Sequence, residues 1–507
     1  MILRRGARWA AAPWVMAASL ALGCFYNPTL QDKPGSTSAI DTTDAPSSDT
    51  EPSALTSSTT TSATTGTTTS TTTSSSAGSE SESATEASSS SSSAGGPECD
   101  PNNPKDLACG DLYCVAGQCV GCTSLPAETP CAAVDALAPV CDAASDKCVE
   151  CTPDDAQLCS GDTPACDPLT NKCVPCTEHA QCPDSACDIL EGACFPDEPE
   201  AVVYVQGSNV DCQAKTGLSE DSAFCKLTDV PSELPKVTIR LISGTQAPGG
   251  LSIDEGKAVA IVKHKSLTPE INGANIIGPT LTVSNSRLYL SSVKLRFASI
   301  SLVKCTAGRF YAHDTFWEGN NINNALAIDA SSCDVSIHRA RIARCGAGLK
   351  LSGGNLWIEN SFILDSGAQG AQQPAFHFLN GAKALITYST IARNRLINGV
   401  STFACNGDMH EVLVRNSAVV GVAEFVDSEC GQGLTFQHSV MYEAVDEDDV
   451  NNVMTEWFNA PVEDVYTPKN GPLEDKAMWE EGDPRFDFFM QPIATDKPTF
   501  AGARQPL

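Results

Sequence analysis

Seven times between Leu288 and Met441 the chain repeats one eight-residue pattern: apolar, any, apolar, any, any, small, any, apolar. The copies begin at Leu288, Phe310, Val335, Leu356, Ala384, Val412 and Leu434, with successive starts 22, 25, 21, 28, 28 and 22 residues apart. That is the coil length of a solenoid whose parallel strands stack into one continuous core. Parallel strands joined by helices would need an amphipathic stretch between copies, and none is present. The reading is therefore all-β: a parallel β-helix.

Within each copy the first, third, sixth and eighth positions are expected to point inward. The third gives the column Leu290, Ala312, Ile337, Ile358, Ile386, Val414 and Phe436. Alternation breaks at the two-residue step before the small residue, where the chain must bend. Thr315, Ala340, Ser361, Ser389, Ser417 and Ser439 there suit a tight corner. Val237 to Ile242 and Val259 to Val262 read as earlier, less regular strands, and the acidic stretch at Asp446 opens a C-terminal segment expected to cap the apolar end.

The rest of the chain divides by composition. Arg4, Arg5 and Arg8 precede an apolar run from Trp9 to Leu22, too short to span a bilayer and suited to a signal segment. From about residue 27 to 96 Ser and Thr dominate, and such a tract cannot offset its ordering entropy by burial. As a flexible coil its roughly 70 residues reach about 45 Å. It reads as a disordered stalk.

Sixteen of the 24 cysteines lie between Cys99 and Cys194, in four quartets joined by Cys-x-x-Cys junctions at Cys119, Cys148 and Cys173. Paired Cys-x-x-Cys motifs raise the alternative of zinc ribbons. The even count, the signal segment and the lack of a histidine pattern favour disulfides, with three connectivities open for each quartet. Eight bridges would replace the core that units this small cannot build. In the solenoid, Cys212 with Cys225, Cys305 with Cys333, and Cys405 with Cys430 are close enough in sequence for one coil or loop to close, which leaves Cys345 as a small buried apolar residue. So many cysteines imply an oxidising compartment. A net charge of −30 argues against nucleic acid as a partner.

Ala21-Leu22-Gly23-Cys24 resembles the lipobox of bacterial lipoproteins, with Ala21 where Leu is favoured. The resemblance implies cleavage after Gly23 and lipidation of Cys24. The rungs resemble those of pectin-lyase-like right-handed parallel β-helix proteins. Val203-Tyr204-Val205, Phe224-Cys225-Lys226-Leu227 and Gly482-Asp483-Pro484-Arg485-Phe486 look like that family's opening and closing segments. The expected organisation is a signal peptide (1–23), stalk (24–98), disulfide module (99–196) and β-helix with C-terminal cap (197–507). The combination resembles surface lipoproteins of Gram-negative bacteria, which places the chain at the outer membrane or cell surface, with the membrane as a partner through the anchor.

Function would sit on outward positions. The second column offers Tyr289, Tyr311 and Trp357 as a sugar-stacking platform, although strand aromatics also simply pack on one another across rungs. His313, Asp314, His338, Arg339, Arg341 and Glu359 are expected to gather on adjacent rungs, with His313, His338, Arg341 and Glu359 as catalytic candidates. The resemblance admits a lyase, which would use calcium, but two carboxylates are few for that ion; otherwise no cofactor or metal is required. The leading expectation is a lipid-anchored surface protein that binds extracellular polymer, most simply polysaccharide. The alternatives are a polysaccharide lyase or hydrolase, and a structural envelope protein.

Overall fold

Every rung turns one corner through a residue with positive φ at the fifth position of the repeat: Ser292, Asp314, Arg339, Asn360, Tyr388, Asn416 and His438, all between 44° and 56°. A single left-handed residue reverses the alternation of inward and outward side chains, which produces the two-residue step in the sequence. The computed structural model describes residues 98–506 apart from 128–129, 208–214, 243–244, 247–249, 266–267, 275, 320–324, 346, 365–373, 393–401, 408, 423–429, 445–446 and 460–465. The signal segment, Cys24, the Ser/Thr tract and Cys212 lie outside the described residues.

The solenoid has three faces. The first stacks ten parallel strands from Val202–Val205 to Leu434–Gln437, and the second stacks nine from Thr245–Gln246 to Val440–Ala444. The third runs from Leu251–Ile253 to Phe403–Asn406 and joins the first through the long strands Leu326–His338 and Ala347–Glu359. Register keeps the repeat in phase: Leu290 pairs with Ala312, Ala312 with Ile337, and so on through Ile358, Ile386, Val414 and Phe436. All but Phe436 are buried, and they form one core with the inward residues of the other faces. The uneven spacing of the copies is absorbed between the second and third faces. Four residues separate Arg296 from Ser301, seven Glu318 from Leu326, three Ala343 from Ala347, eleven Leu364 from Phe376 and ten Ala392 from Phe403.

The small residue after the corner forms a ladder. The hydroxyls of Ser361, Ser389, Ser417 and Ser439 accept from the N–H of Ala340, Ser361, Ser389 and Ser417 on the preceding rung at 3.1–3.3 Å. Each donates to the carbonyl two residues earlier at 2.8–2.9 Å. The ladder satisfies donors that a buried corner would otherwise orphan.

In the module each quartet pairs its first cysteine with the third and its second with the fourth. The bridges are Cys99–Cys114 and Cys109–Cys119, Cys122–Cys141 and Cys131–Cys148, Cys151–Cys166 and Cys159–Cys173, Cys176–Cys187 and Cys182–Cys194. The third and fourth cysteines face each other across a short antiparallel hairpin, as Cys141 does Cys148. Cys305–Cys333 and Cys405–Cys430 are bonded as expected. Cys225 is also disulfide-bonded. Cys345 is free and buried, and burial pushes its thiol up to about 12.

The module is not a free spacer: its last repeat packs on the first face. Asp188, fully buried, meets Lys236 at 3.1 Å and Arg287 at 3.3 Å and accepts from the Tyr289 hydroxyl at 2.6 Å. Glu191 pairs with the same two cations, which hold its carboxyl down to about 2, Lys236 contributing most.

The C-terminal segment packs against the side of the solenoid. It lies along the outer side of the second face, where the outward residues change from Lys294, Arg296 and Glu318 to Phe362, Leu364, Ala392, Ala418 and Val420. Val450, Val453, Met454 and Trp457 of the helix Glu447–Trp457 pack on these, with Tyr466 and Leu473. Apolar outward positions on a sheet need a cover, and this segment supplies it. Corner asparagines pin it: Asn360 donates to the Phe486 carbonyl at 2.6 Å and Asn416 to the Met478 carbonyl at 2.9 Å.

Candidate functional site

The outward columns of the first face carry two sites. The second column reads Tyr289, Tyr311, Ser336, Trp357, Leu385, Leu413 and Thr435 in continuous register, and the fourth reads Ser291, His313, His338, Glu359, Thr387, Arg415 and Gln437.

The expected exposure of Tyr289 is corrected. Its side chain is fully buried under the module, edge-on to Phe195 at 5.9 Å and His179 at 6.0 Å, and stacked on Tyr311 at 5.2 Å. Burial and the Asp188 carboxylate push its phenol upward. Tyr311 is half-buried beside it, and Ser336 on the next rung is 7 % exposed. Trp357, by contrast, is 41 % exposed. It lines an open groove of about 550 Å³ with Leu385 and Leu413, fringed by Lys383, Glu411 and Gln437.

One rung position away is a tighter cleft of about 310 Å³. The solenoid contributes Tyr311, His313, His338, Arg339 and Glu359, the module His179 and Ile189, and the C-terminal segment Arg485 and Phe486. His338 lies between the Ser336 hydroxyl, 2.7 Å from Nε2, and Glu359, 3.5 Å from Nδ1. His313 stands 3.4 Å from the Asp314 carboxylate, while Arg339 holds that carboxylate through two hydrogen bonds of 2.7 and 2.8 Å. Burial lowers His313 to about 4; Arg339 and His338 push the same way, and Asp314 and Glu359 oppose. Burial, with His313 nearby, lowers His179 to about 4 as well, and its Nδ1 accepts from the Cys187 N–H at 3.1 Å. At neutral pH both rings are uncharged.

Five of the six residues expected to gather do so. Arg341 does not: it sits past the corner in the second-face strand Arg341–Ala343, in register between Phe316 and Phe362. The one-residue bend separates it from His338. Sequence reasoning missed His179, Asp188, Phe195, Arg485 and Phe486, which reach the site only through docking. For calcium the donor set is a poor match, because Asp314 is engaged by Arg339 and, among the described residues, Glu359 joins no cluster of carboxylates. Among the described residues, the groups of three potential metal ligands within 4.8 Å are all cysteines of the module, and their sulfurs are disulfide-bonded.

Residues 86–202 match a family model described as a family of unknown function (DUF8331), which covers the disulfide module. A comparison with curated proteins returns no match. Among solved structures the chain is similar to pectate lyase Pel9A, at 12 % identity and a TM-score of 0.37 over 60 % of this chain and 96 % of that one. A likeness at that level assigns no activity.

Proposed function

We propose that the protein binds an extracellular polysaccharide along the open rungs of its first face. The observation that carries this reading is Trp357, 41 % exposed on an otherwise well-packed sheet and aligned with Leu385 and Leu413 along a groove of about 550 Å³. An aromatic face bordered by amides and paired charges suits sugar rings, which present apolar C–H faces and polar rims. The disulfides support an extracytoplasmic location, and a lipid anchor at Cys24 would tether the protein to the membrane of a Gram-negative cell. Titration of the purified protein with a polysaccharide panel by calorimetry tests the reading: binding that Trp357→Ala weakens about tenfold supports it, and absence of binding across the panel refutes it.

A second reading places catalysis in the cleft. A neutral His313 and the Ser336–His338–Glu359 chain could move a proton, with Arg339 or Arg485 facing developing negative charge. Product analysis by mass spectrometry distinguishes the two: new oligosaccharide ends, lost on His338→Ala, would establish an enzyme.

A further inference from the structure

We infer that the groove is one-ended, with the cysteine module as its closed end, and that it takes the terminus of a neutral glycan chain rather than an internal stretch. The inference rests on the groove being a glycan site and adds to it where the chain must stop and what charge it carries.

The outward column is continuous over seven rungs, and its last four positions line the groove, whereas Tyr311 packs against the cluster of Phe195 and Tyr289 and faces the separate cleft. Tyr289 lies beneath Phe195, and Ser336 is 7 % exposed. At the far end, Thr435 and Gln437 of the last described rung are exposed. The barrier is fixed: Asp188 holds both Lys236 and Arg287 of the solenoid, and Cys176–Cys187 and Cys182–Cys194 brace the repeat that carries it. With rungs about 4.8 Å apart, the open stretch from Trp357 to Thr435 is about 14 Å long, room for about three pyranose units.

Charge selects the class. The two groove residues with a fixed charge, Lys383 and Glu411, face each other at 2.7 Å, so each is neutralised by the other. Among the described residues, no arginine lines the groove to await a uronate, and the net charge of −30 repels polyanions.

The test is calorimetry of the intact protein with gluco-, xylo- and manno-oligosaccharides of two to eight units, two size fractions of each parent polymer, and polygalacturonate. The expected result is an affinity that levels off at three to four units, one protein per chain for both size fractions, and polygalacturonate weaker by tenfold or more. Stoichiometry rising in proportion to chain length, or polygalacturonate binding as tightly, would overturn the inference while leaving the glycan site standing. No binding to any of these sugars would refute the glycan site itself. Asp188→Asn, or Phe195→Ala if that variant does not fold, should open the closed end and raise the number of proteins per long chain; an unchanged number in a variant whose module is shown by proteolysis to be loosened contradicts the barrier.

Discussion

The Tyr289 hydroxyl donates a 2.6 Å hydrogen bond to Asp188, a residue 101 positions earlier in the chain and fully buried. The bond, with Lys236 and Arg287 on the same carboxylate, makes the module part of the first face rather than a tethered neighbour. Asp188→Ala removes the acid that all three groups share and leaves Lys236 and Arg287 with Glu191. The expected loss is about 3 kcal/mol of stability, read by urea denaturation, with faster proteolysis of the module.

Docking should weaken in acid. His179 and His313 titrate at about 4 in the folded protein against an ordinary value near 6.5, so the unfolded chain binds more protons between those pH values. Their stabilising contribution is therefore complete above pH 6.5 and is lost as pH falls through 4. Glu191, depressed to about 2, adds a further loss from about pH 4.5 downward. Scanning calorimetry from pH 7.5 to 3.5 should show a falling Tm that is shallower in a His313→Gln variant; an equal slope in both would contradict the assignment.

The serine ladder carries its own test. Ser389→Ala removes the acceptor for the Ser361 N–H and the donor to Thr387 O in a fully buried corner. The expected cost is about 1–2 kcal/mol. Ser439→Ala, at a more exposed last rung, should cost less than half of that.

Reduction should separate the two parts. The module holds eight bridges around small hairpins and lacks a core of its own size. The solenoid is held by the continuous apolar core between Val203 and Cys430. Mild reductant should make the module protease-sensitive while the β-sheet circular dichroism persists, and Cys345 should alkylate only in denaturant.

Trp357→Ala is expected to lower glycan affinity about tenfold with little change in Tm, since the ring is 41 % exposed and its neighbours Leu385 and Leu413 remain. A drop in Tm of many degrees would assign the ring to packing instead.

The eight-residue repeat determined the solenoid, its inward columns and the phase of every rung, because a parallel stack places equivalent residues in register and burial selects the same side chains each time. It likewise placed His313, His338 and Glu359 on one line, and the cysteine spacings left Cys345 unpaired. Local sequence could not show what covers an outward face. Tyr289 and Trp357 occupy the same column and look alike in the repeat, yet one is sealed beneath Phe195 and the other is open. Arg341 follows His338 by three residues and still faces elsewhere, because the left-handed Arg339 turns the strand between them. The Arg341 outcome is local, whereas the sealing of Tyr289 belongs to the tertiary structure: it depends on Phe195 and Asp188, 94 and 101 positions earlier in the chain, and contacts so distant leave no period in the sequence.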